Sequence, residues 1–182
     1  MSSLKSPAIF LDRDGTIIED VGVIKDTSQV AFYDGAVNAL KLLSRYFKLF
    51  IITNQPAVAN GLLTHADVEK VHQFICKRLR QNGVSIEGIY YCPHNREAGC
   101  ACIKPNTYFI DKAAKLHNLD IAKSFVIGDH PHDMELAYNA GAKGIYVLTG
   151  HGRKHLSDLR AHCQVVEDIT EAAEIVFASA IP

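Results

Sequence analysis

Apolar residues along this chain fall into two kinds of pattern that take turns. Ala8–Leu11 is an unbroken apolar run stopped by Asp12, the pattern of a strand covered on both faces. Residues 36–46 then place Val37, Leu40 and Leu43 at helical spacing behind Asp34, a predicted N-cap, and residues 48–53 read as a second buried strand. Thr64 opens an amphipathic helix through Leu79, with Val68, Val71, Phe74 and Ile75 on one stripe and Gly83 beyond its end. Residues 89–91 read as a strand, 108–117 as a helix, 124–127 as a strand running into Gly128, 133–139 as a helix closed by Gly141, and 144–148 as a strand. A last helix is predicted over 170–178, and no chemical motif follows Leu148.

Strands alternating with helices predict a three-layer α/β sandwich around a mainly parallel, Rossmann-like sheet with right-handed crossovers. No composition shift or repeat divides the 182 residues, so one domain over 1–182 is expected. The fifty residues between Thr53 and Lys104 are used up by one helix, one strand and a Cys-rich loop, which leaves no room for a large cap domain. Residues 17–33 suffice only for a small flap. In such sheets ligands bind beyond the carboxyl ends of the strands, and Asp12, Thr53 and Asp129 all fall there.

Charge narrows the partners. Nineteen Lys and Arg against 20 Asp and Glu leave a net charge of −1, so no basic field draws nucleic acid. Apolar runs are far shorter than the roughly 18 residues a membrane span needs, and residues 1–7 hold no signal-peptide core. The expectation is a soluble cytoplasmic protein, monomeric or weakly oligomeric, bound to neither nucleic acid nor membrane.

Asp12-Arg13-Asp14-Gly15-Thr16 sets two carboxylates two residues apart, so an extended backbone turns both to one side. One carboxylate at a strand tip can attack phosphorus, and the second can protonate the leaving alkoxide and then activate water. Asp-Gly is equally a turn dipeptide, and the rest of the chain must choose between the two. Thr53-Asn54-Gln55 offers donors to a phosphoryl oxygen, and Lys104 before Pro105 offers an ammonium. Asp129 follows another buried strand, and with Asp12 and a main-chain carbonyl it makes a hard oxygen set suited to Mg²⁺. Asp133 is expected to cap a helix or to support the metal ligands from behind rather than touch the metal, and His130 and His132 to face solvent from a turn rather than form a second metal pair.

Cys92, His94, Cys100 and Cys102 form a Cys₃His quartet in two close pairs, the composition of a closed structural zinc site. Zinc there would order the loop that leads into Lys104. Cys76 and Cys163 stand apart and are expected in the core.

The ordered set D-R-D-G-T, T-N-Q, K-P and G-D-x-x-x-D, each at a strand end, resembles the four motifs of the haloacid dehalogenase superfamily of Mg²⁺-dependent phosphatases. A-I-F-L-D-R-D-G-T-I, G-I-Y-Y-C-P-H and C-x-C-x-K-P look like its heptose-bisphosphate phosphatase and histidinol-phosphatase branch. The resemblance implies Asp12 as nucleophile, Asp14 as general acid and base, and Thr53 and Lys104 as phosphoryl stabilisers. It implies Mg²⁺ on Asp12, the Asp14 carbonyl and Asp129, with substrate facing Asp20, Val21, Gly22, Val23, Asn54, Gln55 and Pro56. The implied reaction is hydrolysis of a small phosphorylated metabolite, D-glycero-D-manno-heptose 1,7-bisphosphate first and histidinol phosphate second. A receiver-like signalling domain shares the Asp, Thr and Lys set but has no use for Asp14. The chain departs from the branch at Ile103, a substrate-facing position usually held by Arg, at His130, usually Lys, and at Asn60, commonly Arg.

Overall fold

The structure, a computed structural model, describes residues 4–180. Residues 1–3 and 181–182, which include the start of the polar segment 1–7, lie outside the described residues. Six strands form one parallel sheet: β1 (Ala8–Leu11), β2 (Lys48–Asn54), β3 (Gly88–Cys92), β4 (Phe125–Gly128), β5 (Lys143–Val147) and β6 (Gln164–Val166), in the order β3-β2-β1-β4-β5-β6. Five helices cover it: α1 (Ala36–Leu43), α2 (His65–Gln81), α3 (Tyr108–His117), α4 (Pro131–Ala140) and α5 (Ile169–Ala180).

The unbroken apolar strands are explained by two cores, one on each face. Ile9, Leu11, Leu49 and Ile51 pack with α1, α2 and α5, through residues such as Leu40, Ile75 and Val176. Ala8, Phe10, Phe50 and Ile52 point the other way, onto Ile110 and Ala113 of α3 and Leu136 and Ala137 of α4. Alternate side chains of one strand therefore enter opposite cores, as pleating requires. The layers are three helices, the sheet and two helices, which is the expected sandwich.

Leu11 pairs with Ile51 of β2 and with Ile127 of β4, so Leu11, Ile51 and Ile127 lie at one level near the carboxyl ends of three neighbouring strands. Asp12, Thr53 and Asp129 consequently share one edge. This register, fixed by which residues are apolar, is what assembles the site.

Four local readings are corrected. Asp34 is not the cap of α1: Gly35 holds that place at φ 77°, and no side chain caps the helix. The α2 stripe buries His72 with Val68, Val71, Ile75 and Leu79, while Phe74 is only half-buried. Cys76 and Cys163 are half-buried rather than core. The segment after β5 adds a sixth strand, three residues long, before α5. Among the described residues no helix is long and apolar enough to cross a membrane.

Candidate active site

The first turn after β1 is anchored by the backbone. Asp12 N donates to Ile127 O at 2.9 Å, and Gly15 at φ 82° turns the chain where an added Cβ would collide with the Asp129 carboxylate. Only glycine combines that backbone with that approach. Asp12 thus sits against β4, with Asp14 two residues on.

Lys104 reaches this turn from the Cys-rich loop, four residues before α3 begins. Its Nζ donates to Asp12 Oδ1 and to Asp133 Oδ1, both at 2.7 Å. Its backbone N–H donates to Asn54 Oδ1 at 3.2 Å, which fastens the loop to the end of β2. Burial works against the ammonium, but the two carboxylates outweigh it and hold its pKa above the ordinary lysine range. Asp133 also caps α4, accepting from His130 N at 3.2 Å in a capping box with Pro131 in the first turn. It supports Lys104 and accepts from the N–H of His130, the true N-cap, so Asp133 serves the helix start from the third helical position and not as the N-cap expected.

Asp12, Asp129 and Asp133 each offer an oxygen within 4.8 Å of the others. Three buried carboxylates against one ammonium leave uncompensated negative charge. Desolvation, and then the charges of Asp12 and Asp133, push Asp129 up to about 8. Burial likewise raises Asp12, with Lys104 pulling the other way. This oxygen-only, under-neutralised set fits a hard divalent cation such as Mg²⁺.

Asp14 lies on the other side of Asp12 in a ring of donors. Arg13 Nη2 donates to Oδ2 at 2.8 Å, and Arg13 Nε lies 3.1 Å from both oxygens. Gln55 Nε2 donates to Oδ2 at 2.8 Å, and Thr53 Oγ1 points to the same oxygen at 3.4 Å. Burial raises the Asp14 pKa although Arg13 opposes it.

The remaining quartet is also brought together. The Sγ atoms of Cys92, Cys100 and Cys102 are 3.1 to 3.5 Å apart, and His94 Nδ1 lies 3.4 Å from Cys102 and 3.6 Å from Cys92. Tetrahedral zinc with Zn–S bonds of about 2.3 Å spaces sulfurs by roughly 3.8 Å, so the cluster fits with little rearrangement. Burial pushes the Cys100 thiol up, yet hydrogen bonds from Cys92, Cys102 and the Cys102 and Ile103 backbone bring it to about 7.

A cleft of about 600 Å³ opens over Asp12, Asp14, Lys104, Asp129 and Asp133. Asp20, Gly22, Val23, Asn54, Gln55 and Pro56 line it, together with Asp12, Asp14, Thr53, Lys104 and Asp129. Two expected residues do not. Ile103 is only 8 % exposed and packs into the protein, because an apolar side chain gains nothing at a charged wall; Val21 is 49 % exposed and lies outside the lining.

Sequence reasoning missed Arg96, His151 and His155, which also line the cleft. His151 N donates to Asp129 Oδ2 at 2.8 Å, and Thr149 Oγ1 donates to Gly15 O at 2.6 Å, so the loop after β5 closes over the carboxylate cluster. Its position after a strand's carboxyl end was the available signal. His130 and His132 do not face solvent freely: their rings stack at 4.5 Å, half-buried, and both line the cleft.

Comparison with known proteins agrees with this geometry. A family model described as HAD-hydrolase-like matches residues 101–172. The D-glycero-beta-D-manno-heptose-1,7-bisphosphate 7-phosphatase of Escherichia coli (strain K12) is 36% identical over 154 residues, 79% of this chain and 80% of the relative. That of Helicobacter pylori (strain ATCC 700392 / 26695) is 38% identical over 143 residues, 78% of this chain and 83% of the relative. A crystal structure of D,D-heptose 1,7-bisphosphate phosphatase from B. bronchiseptica, complexed with magnesium and phosphate, superposes with a TM-score of 0.88 at 31% identity, covering 96% of this chain and 99% of the other. With two carboxylates on the turn after β1, a lysine and a carboxylate cluster gathered at the strand ends, the chain belongs to the haloacid dehalogenase superfamily, in the phosphatase branch of these relatives.

Proposed function

We propose that the chain, as one catalytic domain over 1–182, is a Mg²⁺-dependent phosphomonoester hydrolase that acts on a sugar bisphosphate through an aspartyl-phosphate on Asp12. The observation that carries this reading is the pairing of two differently placed carboxyls on one turn. Asp12 sits at the cation cluster beside Lys104, and Asp14 sits in a ring of neutral and cationic donors with a raised pKa.

A carboxylate oxygen of Asp12 attacks phosphorus as the ester P–O bond breaks, and Asp14 passes its proton to the leaving alkoxide. Asp14, now a carboxylate, takes a proton from water as that water attacks the aspartyl-phosphate; orthophosphate leaves and Asp12 is regenerated. Lys104 holds Asp12 in line and faces the phosphoryl oxygens with its positive charge. Thr53, hydrogen-bonded within the same ring, orders Gln55 and Asp14. Asp12, Asp129 and the Asp14 carbonyl would hold Mg²⁺, which when bound supplies charge neutralisation at the transferring group. Cys92, His94, Cys100 and Cys102 would hold structural zinc. Clustered thiols at ligand spacing favour a reducing compartment, the cytoplasm.

For the substrate, the support is the relatives' names and the cleft. Its volume suits a phosphorylated sugar, and among the described residues Arg96 is the one guanidinium on its lining, a forked donor for a second phosphate. Asp12→Asn is expected to abolish turnover while circular dichroism stays unchanged. A panel of sugar bisphosphates, sugar monophosphates and histidinol phosphate, assayed with Mg²⁺, is expected to give its highest kcat/KM with a heptose bisphosphate. Wild-type turnover by the Asn variant, or a preference for histidinol phosphate, overturns the corresponding half of the reading.

A further inference from the structure

Arg13 stands between the two carboxylates of the turn, yet it is 2 % exposed and does not line the cleft. Its guanidinium is held from both ends. Nε and Nη2 grip the Asp14 carboxylate, while Nη1 lies 3.1 Å from Nε2 of His72, a residue 59 positions away on α2. His72 is 4 % exposed, its ring edge-on to Tyr91 of β3 at 5.4 Å. A guanidinium carries only donors, so His72 Nε2 must be the acceptor and the ring proton must sit on Nδ1.

A buried histidine on an apolar helix stripe therefore has a defined partner. Without its lone pair, a buried Arg13 N–H group loses its acceptor, and the guanidinium is drawn toward other oxygen or solvent. The Asp14 carboxylate would follow, since three of its contacts come from Arg13 and only those of Gln55 and Thr53 would keep it in place. Misplacement of a reacting group by about 1 Å can cost on the order of 100-fold in rate.

We propose that His72 is a positioning residue for phosphoryl transfer: through Arg13 it aims the Asp14 carboxyl at the leaving oxygen, with no contact to substrate of its own. The inference rests on the reading of Asp14 as the general acid.

The test compares wild type, His72→Phe, His72→Gln and Asp14→Asn by kcat/KM on a sugar phosphate, whose alkoxide needs a proton, and on p-nitrophenyl phosphate, whose leaving group does not. His72→Phe keeps a ring against Tyr91 but has no lone pair. It is expected to lower the sugar-phosphate value about 10-fold or more and the nitrophenyl value by less than about threefold. His72→Gln returns an oxygen acceptor and is expected to restore the ratio to within about threefold of wild type. Equal loss on both substrates, or no loss, in His72→Phe while Asp14→Asn stays selective overturns the role of His72. An unselective Asp14→Asn overturns the acid reading beneath it. Histidine ¹⁵N shifts of the wild-type enzyme give a check independent of any variant's folding: Nδ1–H with bare Nε2 at pH 7 is expected, and Nε2–H or imidazolium refutes the proposal.

Discussion

His72 also carries a stability signature. Burial, and then the Arg13 guanidinium, push its imidazole from 6.5 down to about 3. Between those values the unfolded chain binds a proton that the folded one refuses. His72 thus contributes stability that is complete above about pH 6.5 and lost as the pH falls toward 3, with a slope of at most ~1.4 kcal/mol per pH unit. Urea unfolding at pH 7 and pH 4.5 is expected to show a smaller drop for His72→Gln than for wild type, and equal drops refute the assignment. Residues such as Asp12, Asp14, Lys104 and the Cys₃His quartet were legible in sequence because each stands in a short motif whose chemistry needs that spacing. His72 was hidden because a single histidine on an apolar stripe carries no sign of its partner, which arrives from a strand end 59 residues earlier. Ile103 failed as a site residue for the opposite reason: its place in a motif was legible, but its apolar side chain turns into the protein.

At the scale of elements, end chemistry decided what could be read. Thr64 and Asp67 form a reciprocal capping box at the start of α2: Asp67 N donates to Thr64 Oγ1 at 3.2 Å, and Thr64 N donates to Asp67 Oδ2 at 2.8 Å. Thr64→Ala is expected to cost about 1 kcal/mol, or roughly 2–4 °C in Tm for a chain of this size, with kcat retained because Thr64 lies outside the cleft. Calorimetry and a standard assay check this, and an unchanged Tm counts against the box. That helix was readable because a capping threonine precedes a long apolar stripe. α1 was misread at its start because Asp34 looks like a cap while glycine at positive φ makes the turn. α4 begins two residues earlier than its periodicity suggested, at Pro131, where Asp133 reaches back to His130 N. β6 was missed because three residues are too few for alternation to register, and its pairing comes from β5 rather than from its own sequence.

The molecule as a whole is a sheet carrying one part of its site on a loop that the sheet itself holds only near the loop's two ends. Asp12 and Asp129 leave strands buried in two cores, whereas Lys104 and Arg96 belong to the segment between β3 and α3, which has only one 3₁₀ turn, Arg96–Ala98, of its own. Hydrogen bonds from Lys104 N to Asn54 and from Asn106 Nδ2 to Cys100 O tie this segment down at its far end. Nearer β3 it is held by Ala59 N–H donating to Pro93 O at 3.1 Å and by Asn95 Nδ2 donating to Asn60 Oδ1 at 2.8 Å, and the Cys₃His cluster draws the stretch between together. If the cluster holds zinc as proposed, losing that ion frees backbone whose ordering costs about 1–2 kcal/mol per residue, and the Lys104 ammonium is then presented to Asp12 for only part of the time. Cys100→Ser, or treatment of wild type with a zinc chelator, is therefore expected to lower kcat/KM about 10-fold or more while the sheet's far-ultraviolet dichroism persists. Added Zn²⁺ is expected to restore the chelated wild type but not the serine variant, and Mg²⁺ to restore neither, because the two clusters differ in donor chemistry. Full turnover in protein shown by elemental analysis to lack zinc would mean that the loop orders itself, and that the four ligands hold nothing the active site needs.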